Sequence, residues 1–246
     1  MTVSLTVSLK PHPSLLEAIG LSLTINCFRV VAIQKVCPTL EEQTGHSIYR
    51  LHSMTYTPKI LAFAGSTRTD SFNKKLVKIA AQGARAAGAE ATFIDLRDFS
   101  MPLFDEDLEA REELPAGARQ FKDLLLAHDG LLIASPEYNS SLTAVLKNAI
   151  DWASRPAPGE APLGCFAGKV ASLMSTSPGA LGGLRGLVHL RSILGNIKVI
   201  VLPDQIAVGH AYEAFQIDGS LKDPKQQAEI ASLGENVAAI VAKLKT

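Results

Sequence analysis

A short stretch of the chain combines hydroxyl, amide and guanidinium side chains in a pattern that suits an anion. It runs from Gly65 to Asn73 and reads G-S-T-R-T-D-S-F-N. Hydroxyl groups can each donate one hydrogen bond to a phosphate oxygen, and Arg68 adds positive charge and a bidentate pair. The stretch contains neither G-x-x-x-x-G-K-[ST] nor G-x-G-x-x-G, so it favours a terminal monophosphate over a nucleoside triphosphate or a dinucleotide. The alternative is an ordinary surface turn in which Ser71 or Asp70 caps the next helix.

Two further polar segments follow apolar runs that are typical of buried strands. Residues 135–141, S-P-E-Y-N-S-S, come directly after Gly130–Ala134, and residues 175–186 come after Val170–Met174. Because the carboxyl ends of parallel strands meet at one edge of a sheet, we expect the three polar segments to lie together there. The last segment contains glycines that would allow its backbone to approach a flat ligand closely. These glycines are Gly179, Gly182, Gly183 and Gly186.

From Lys59 onward, apolar runs alternate with segments of helical periodicity, which predicts an α/β protein. The predicted strands are Lys59–Ala64, Ala91–Asp95, Gly130–Ala134, Lys169–Met174 and Ile197–Val201. The predicted helices are Ser71–Ala87, Pro115–His128, Leu142–Ala153, about Leu181–Leu194 and Pro224–Lys245. Residues 96–114 are expected to be an acidic solvated loop, and residues 202–218 to be irregular. Right-handed crossovers then predict a doubly wound parallel sheet of five strands in the order 2-1-3-4-5.

Composition and charge exclude several classes of protein. The 246 residues carry a formal net charge of zero, which leaves no electrostatic footprint for nucleic acid or for an anionic membrane. Cys27, Cys37 and Cys165 are odd in number and widely spaced, so they indicate neither a disulfide framework nor a zinc site and favour the reducing cytoplasm. Cys165 is interpreted as structural rather than nucleophilic. The histidines show no Ser-His-Asp spacing and form no relay.

Three motifs of the chain resemble those of the NADPH-dependent FMN reductase family, which includes quinone, chromate and azo-dye reductases. They are the G-S-T-R…S-F-N loop, the S-P-E-Y-N-S-S…L-K-N-A-I-D-W block and the S-P-G-A-L-G-G-L-R segment. The resemblance runs from about Pro58 to the C-terminus, and the P-E-Y-N and K-N-A-I-D-W block is its most specific part. It implies a flavodoxin-like fold, an FMN cofactor, NAD(P)H as co-substrate and a homodimer or dimer of dimers.

The resemblance assigns the FMN phosphate to the first polar segment and the border of the isoalloxazine ring to the second, while the third closes the other side. Backbone N–H groups of the second segment would stabilise negative charge on the reduced flavin. The cofactor-binding residues that it implies are Gly65, Ser66, Thr67, Arg68, Ser71, Phe72, Asn73, Pro136, Glu137, Tyr138, Asn139, Ser175, Thr176, Ser177, Gly179, Gly182 and Gly183. No side chain and no metal is assigned a catalytic role, because the flavin would carry the chemistry.

Several residues of these motifs have alternative interpretations. Glu137 could be a catalytic acid, but a carboxylate that fixes the turn or a subunit contact is favoured. Tyr138 would either shield the flavin ring or fill the edge of the core. Trp152 is expected to secure helix packing and the subunit interface, with stacking on flavin as the alternative. Arg185 and Arg191 are expected to make contacts between subunits, although Arg185 could instead bind the phosphate of NADPH.

Residues 1–53 lie outside the resemblance and show no clear alternation of strands and helices. Within them, Leu15–Ile33 is too polar for a membrane helix, and the region is a poor signal peptide. Met54 stands immediately before the first recognisable strand, so we expect translation to begin there and residues 54–246 to form the FMN-binding domain. The alternative is a mobile extension that helps in targeting or assembly.

These observations predict an FMN-dependent NAD(P)H oxidoreductase. Hydride would pass from nicotinamide to flavin N5, and then to a quinone, an azo compound, chromate or free flavin in a ping-pong scheme. The expected partners are these small-molecule acceptors and further copies of the chain, without nucleic acid or a membrane. The alternative is a flavin-binding electron carrier or redox-sensing protein that does not turn over NAD(P)H.

Overall fold

The computed structural model describes residues 56–112 and 114–245. The chain divides into two units, Met1–His52 and Ser53–Thr246, and every described residue belongs to the second unit. The predictions about residues 1–53 and about a start at Met54 therefore lie outside the described residues.

The second unit is built on a parallel sheet. Its strands are β1 (Lys59–Ala64), β2 (Glu90–Asp95), β3 (Gly130–Ala134), β4 (Val170–Thr176) and β5 (Ile200–Val208). The five strands lie in the order β2-β1-β3-β4-β5, and each neighbouring pair runs parallel. The predicted flavodoxin-like sheet is confirmed in both its order and its direction.

Helices cover both faces of this sheet. They are α1 (Phe72–Ala86), α2 (Glu106–Arg111), α3 (Ala116–Ala127), α4 (Ala144–Ser154), α5 (Leu184–Asn196), α6 (Ala211–Ala214) and α7 (Pro224–Lys245). Successive strand residues point to opposite faces, so Ile60 and Ala62 pack with α1 and α7, whereas Leu61 and Phe63 pack with α3, α4 and α5. Among the described helices, none is long and apolar enough to cross a bilayer.

Residues 96–114, which were predicted to be a loop, contain a helix. The carboxylate of Asp105 accepts hydrogen bonds from the N–H groups of Asp107 (2.8 Å) and Leu108 (3.4 Å) at the start of α2. Such a cap satisfies N–H groups that a helix N-terminus leaves without partners. No residue of α2 is buried, so the predicted exposure to solvent is correct and the predicted loop is wrong.

The last strand, β5, was predicted to end at Val201 and instead continues to Val208. It lies at the edge of the sheet, where a proline such as Pro203 is tolerated, and its register against β4 shifts along the pair. The guanidinium of Arg191 donates to the carbonyl oxygens of Val201 (3.3 Å), Leu202 (2.8 Å) and Pro203 (3.3 Å). Arg191 therefore stabilises the irregular strand of its own chain, and its predicted contact between subunits stays a prediction.

Candidate active site

A pocket opens at the carboxyl ends of β1, β3 and β4, where the three polar segments meet. It is lined by Ser66, Arg68, Ser71, Phe72, Asn73, Pro136, Glu137, Tyr138, Thr176, Ser177 and Pro178. All of these except Pro178 are residues that the sequence indicated, and Pro178 follows one of them in the S-P-G motif. The structure thus brings together residues that are more than 100 positions apart in the chain.

The first polar segment forms the turn between β1 and α1. The N–H of Gly65 donates to the carbonyl oxygen of Ala134 (2.9 Å), which fastens the turn to β3. Ser71 is the N-cap residue of α1, but its hydroxyl makes no capping hydrogen bond, and the first turn of α1 has no acidic residue. Asp70, the other capping candidate, pairs with Lys75 at 2.6 Å. The positive end of α1 and the Ser71 hydroxyl are therefore available to an anion.

Two more groups at the pocket, the Arg68 guanidinium and the Thr176 hydroxyl, have no hydrogen-bond partner among the described residues. Among the described residues, the guanidinium of Arg68 makes no ion pair or hydrogen bond, although its backbone N–H donates to Ser66 Oγ at 3.3 Å. The hydroxyl of Thr176 is buried and also lacks a hydrogen-bond partner. An unpaired buried hydroxyl costs about 1–3 kcal/mol, and a polar ligand could remove that cost. Guanidinium, hydroxyl and helix N–H groups together fit the phosphate of FMN.

Asn73 joins the first polar segment to the third with its side-chain amide. Its Nδ2 donates to the carbonyl oxygen of Thr176 (2.8 Å), and its Oδ1 accepts from the N–H of the same residue (3.1 Å). Thr143 links the first polar segment to the start of α4, because its hydroxyl donates to the carbonyl oxygen of Gly65 (2.7 Å) and accepts from the N–H of Leu146 (3.2 Å). Gly65 fits this site because a Cβ there would lie 2.9 Å from the Leu146 side chain. Asn73 and Gly65 thus shape the pocket, and the amide of Asn73 is already engaged.

Arg97, which the sequence reasoning missed, holds the outer side of the first segment. Its Nε donates to the carbonyl oxygen of Thr67 (2.8 Å), and its Nη1 donates to Thr69 Oγ1 (2.7 Å). Thr67 is exposed and does not line the pocket, so its predicted contact with the cofactor is not supported. The signal in the sequence was a cation just after β2, at the same edge of the sheet as the turn.

The second polar segment forms a tight turn that exposes Tyr138. The backbones of Tyr138 and Ser141 exchange two hydrogen bonds of 2.9 and 3.0 Å, and Asn139 and Ser140 between them have φ values of 49° and 66°. Asparagine tolerates this left-handed region, so Asn139 serves the turn and does not line the pocket. Tyr138 is 58% exposed, which makes it a wall of the pocket rather than part of the core.

The carboxylate of Glu137 is bound to the start of α5. Its Oε1 accepts from Nε of Arg185 (3.1 Å), and its Oε2 accepts from the N–H of Gly186 (3.0 Å). The Glu137 side chain is 9% exposed, whereas that of Arg185 is 60% exposed. This geometry agrees with a carboxylate that fixes the turn, and both oxygens are occupied by the protein.

The glycines of the third segment pack against the chain itself. Gly182 and Gly183 have φ values of 62° and 91°, so α5 begins at Leu184 and not at Leu181 as predicted. A Cβ at Gly182 would lie 2.6 Å from the backbone of β5, and one at Gly183 would lie 2.0 Å from Ser175 Oγ. Neither glycine lines the pocket, and the close approach of this backbone to a flat ligand stays a prediction.

The start of the third segment belongs to β4, which extends to Thr176. Ser175 is fully buried, and its hydroxyl donates to the carbonyl oxygen of Ser135 at 2.6 Å. It therefore links β4 to β3 and does not reach the pocket. Gly179 likewise serves a turn, since its carbonyl oxygen accepts from the N–H groups of Gly182 (3.1 Å) and His210 (3.3 Å).

Two side chains with reactive or stacking potential lie in the core instead of the pocket. Trp152 is fully buried, and its Nε1 donates to the carbonyl oxygen of Pro102 (2.8 Å), so the alternative of stacking on flavin is wrong. Burial raises the pKa of the Cys165 thiol to about 11, which keeps the thiol neutral and supports its structural interpretation. Within the described ranges, no group of three or more potential ligands could hold a metal ion.

Comparisons with known proteins agree with this geometry. The model of the NADPH-dependent FMN reductase family matches residues 58–213. An NAD(P)H-dependent FMN reductase of Pseudomonas aeruginosa is 39% identical over 169 residues, covering 68% of this chain and 86% of the relative. A 2-hydroxy-1,4-benzoquinone reductase of a Burkholderia species is 33% identical over 184 residues, covering 74% of this chain and 96% of the relative.

Solved structures show the same architecture. FerB, a flavoenzyme NAD(P)H:(acceptor) oxidoreductase of Paracoccus denitrificans, superimposes with a TM-score of 0.64 at 28% identity, covering 76% of this chain and 98% of its own. An archaeal flavodoxin superimposes with a TM-score of 0.51 at 12% identity, covering 74% of this chain and 98% of its own, which supports the fold alone. Because the family model spans all three turns of the pocket and these relatives are matched over most of their own length, this chain belongs to the NADPH-dependent FMN reductase family of oxidoreductases.

Proposed function

We propose that this chain binds FMN in the pocket at the carboxyl edge of the sheet and uses NAD(P)H to reduce small-molecule acceptors. The observation that carries the proposal is a set of polar groups around one pocket that make no hydrogen bond within the described part of the chain. They are the Arg68 guanidinium, the hydroxyls of Ser71 and Thr176, and the first N–H groups of α1. Membership of a family named for FMN and NADPH supports flavin as the ligand that satisfies them.

The first turn would hold the phosphate of FMN. Arg68 would supply charge, and Ser66 and Ser71 would donate hydrogen bonds, assisted by the positive end of α1. Since Ser66 Oγ accepts from the N–H of Arg68, its own proton is free for a phosphate oxygen. Pro136 and Tyr138 would border the ring. When bound there, FMN supplies an N5 atom that accepts hydride from nicotinamide and passes the electrons to the acceptor.

The open side of the pocket suits a succession of flat ligands. Tyr138 is the exposed wall, and Glu137 is engaged with α5, so few directional side chains remain to reject a planar molecule. We therefore propose that NAD(P)H and the acceptor occupy the same face in turn, which gives ping-pong kinetics. Quinones are the first acceptors in this proposal because several relatives carry quinone reductase or quinone oxidoreductase names. Azo compounds, chromate and free flavin are the further acceptors that we propose.

The proposal includes assembly and location. A homodimer, or a dimer of such dimers, would cover the exposed face of α5, whose apolar residues are considered in the Discussion. A cytoplasmic location is proposed because the odd, widely spaced cysteines suit a reducing compartment, and cell fractionation would test it.

Anaerobic titration of the FMN-loaded protein with NADPH tests the function. We expect the absorbance of oxidised flavin to bleach and benzoquinone to restore it. Arg68→Ala should weaken FMN binding about thirtyfold, because a charge-assisted hydrogen bond is lost. Arg85→Ala is the matched control, since Arg85 holds a backbone carbonyl at the far end of α1.

Bound FMN that NADPH does not bleach would contradict the enzymatic proposal and indicate an electron carrier. Absence of FMN binding by the wild-type protein would contradict the proposal altogether. An unchanged FMN affinity in Arg68→Ala would remove that residue from the phosphate site.

A further inference from the structure

Arg97 does not line the pocket but holds the turn between β1 and α1. Its guanidinium binds the carbonyl oxygen of Thr67 through Nε (2.8 Å) and through Nη2, and it binds Thr69 Oγ1 through Nη1 (2.7 Å). Three donors of one planar group therefore hold two residues that flank Arg68 on both sides. A guanidinium suits this task because its donors form a rigid fork.

Arg97 is linked to the sheet by a hydrogen bond to Asp95, the last residue of β2. Its Oδ1 accepts from the N–H of Arg97 (3.0 Å), and its Oδ2 accepts from Nζ of Lys74 (2.5 Å) in the first turn of α1. Burial would raise the pKa of this carboxyl, but the bonds from Lys74 and Arg97 outweigh burial and lower it. Residues at the end of β2 therefore contact the β1–α1 turn in two places. Arg97 binds Thr67 and Thr69, and Asp95 binds the first turn of α1.

This arrangement has a consequence for charge in the pocket. A carbonyl oxygen that faced the pocket would repel a phosphate dianion. The carbonyl oxygen of Thr67 is engaged by Arg97, and the residues of the turn that line the pocket include the donors Ser66, Arg68 and Ser71. The Arg97 guanidinium also places a positive charge beside the turn, where it interacts with the Asp95 carboxylate and helps to lower its pKa.

We propose that Arg97 is a positioning residue that makes the pocket selective for the phosphorylated flavin. It acts by holding the β1–α1 turn in the shape that presents donors to the phosphate and does not itself contact the ring. This inference rests on the proposed function, because FMN is the ligand in question. The inference concerns only the phosphate end of the ligand. FMN and riboflavin share the ring and differ in the phosphate, so comparing their affinities distinguishes an effect on the phosphate site from a general effect on the pocket.

The test measures dissociation constants of FMN and riboflavin for flavin-free wild type, Arg97→Gln and Arg85→Gln. Arg85 is a matched control because it also donates through Nε and Nη2 to one carbonyl oxygen, that of Ala91 (3.1 and 2.5 Å), at the opposite end of β2. We expect Arg97→Gln to weaken FMN binding at least about tenfold, the loss typical of a charged hydrogen bond. Riboflavin binding should stay within about twofold, and Arg85→Gln should leave both ligands within that range.

The two ligands together distinguish a failure of the role proposed for Arg97 from a failure of the proposed function. An equal loss of FMN and riboflavin, or no loss of either, would overturn the inference while FMN binding by the wild type upheld the proposed function. A wild-type protein that binds neither ligand would overturn the proposed function itself. If Arg97→Gln does not fold, Arg97→Lys is measured instead, since lysine keeps the charge but loses the paired donors of the guanidinium. The ratio of its dissociation constants for riboflavin and FMN should lie between the wild-type ratio and one.

Discussion

At the scale of single residues, the carboxylate of Glu137 takes the place of a missing helix cap. The N-cap of α5 is Gly183, which has no side chain to offer, and the first turn of α5 contains no acidic residue. Glu137 approaches from another segment and accepts from the N–H of Gly186, as a capping side chain would. Its negative charge also suits the positive end of the helix. The residue most suggestive of acid catalysis is therefore engaged in structure.

Glu137→Gln tests that interpretation. Because hydride transfer needs no proton from this group, the rate of anaerobic flavin reduction by NADPH should stay within about tenfold of wild type. The free energy of unfolding should fall by about 1 kcal/mol, since the charge at the helix N-terminus is lost. Stopped-flow absorbance and urea unfolding measure the two quantities. Glu235→Gln, an exposed carboxylate on α7, is the control.

A thousandfold loss in the reductive step of Glu137→Gln, with FMN still bound, would show a catalytic acid instead. A normal rate together with unchanged stability would contradict the capping role.

The chemistry of the pocket could be predicted from residue types, but the engagement of each residue could not. Ser66, Arg68 and Ser71 carry donors that suit a phosphate wherever the turn lies, and the structure places them at the pocket. Asn73 offers the same chemistry, yet its amide is taken by Thr176, 103 positions away. Arg97 was missed for the same reason, since only tertiary structure brings it to a turn 30 residues earlier.

At the scale of elements, α5 presents an apolar stripe to solvent. Leu184 is 42% exposed and Val188 is 57% exposed, and residues four apart lie on the same face of a helix. A groove beside α5 is lined by Leu142 and Lys147 from the α4 side and by Ile193 from α5. Exposed apolar helix faces of this kind mark interaction surfaces, which supports a second copy of the chain as the partner.

Val188→Glu should separate that homodimer into monomers. A carboxylate placed in an apolar interface loses its hydration without gaining a partner, which is costly. Light scattering at micromolar concentration would give the mass of the wild type and the variant. Leu126→Glu, a matched change at a residue of α3 that is 45% exposed, should leave the mass unchanged. A wild-type protein that is monomeric and fully active would contradict the proposed assembly.

The boundaries of elements show where local patterns stop being informative. The closing helix was predicted as Pro224–Lys245 and is found there, because its apolar face recurs over many turns. The extension of β5 to Val208 was not predicted, since the register against β4 shifts there and the carbonyl oxygens of residues 201–203 accept from Arg191, a residue of another element. The cap that starts α2 depends on the single side chain of Asp105, a signal that the surrounding acidic residues obscured.

At the scale of the whole molecule, the two ends of the described fold meet at Asp129. Its Oδ2 accepts from Tyr56 Oη (2.6 Å) and from the N–H of Lys59 (3.0 Å), and its Oδ1 pairs with Lys245 Nζ (3.0 Å). The ammonium group of Lys245 also lies 5.7 Å from the centre of the Tyr56 ring. Burial raises the pKa of Asp129, but the bonds from Tyr56, Lys59 and Lys245 outweigh it, so its pKa is lowered and the carboxylate stays ionised.

Chains shortened at the N-terminus test the proposal that residues 1–53 are not part of the fold. A chain that begins at Met54 should match the full chain in FMN affinity and in free energy of unfolding to within about 0.5 kcal/mol. A chain that begins at Lys59 should lose about 1–2 kcal/mol, because it lacks the Tyr56 hydrogen bond to a carboxylate. Urea unfolding measures both, and Tyr56→Phe in the Met54 chain should reproduce part of the loss, because the chain that begins at Lys59 also lacks the Pro58 carbonyl oxygen that accepts from the N–H of Glu90 (2.9 Å). Insolubility or loss of FMN in the Met54 chain would contradict the proposal.

Because both ends of the described fold contact Asp129, they lie close together in space. Asp129 directly precedes β3, and Lys59 opens β1, so the junction lies at the amino edge of the sheet, with the pocket at the carboxyl edge. A short peptide joining residue 245 to residue 56 would leave every strand and every turn of the pocket in place, and new ends could then be opened in an exposed turn. A reporter domain joined next to residue 56 or residue 245 would begin on the side away from the pocket, where it leaves the pocket unobstructed.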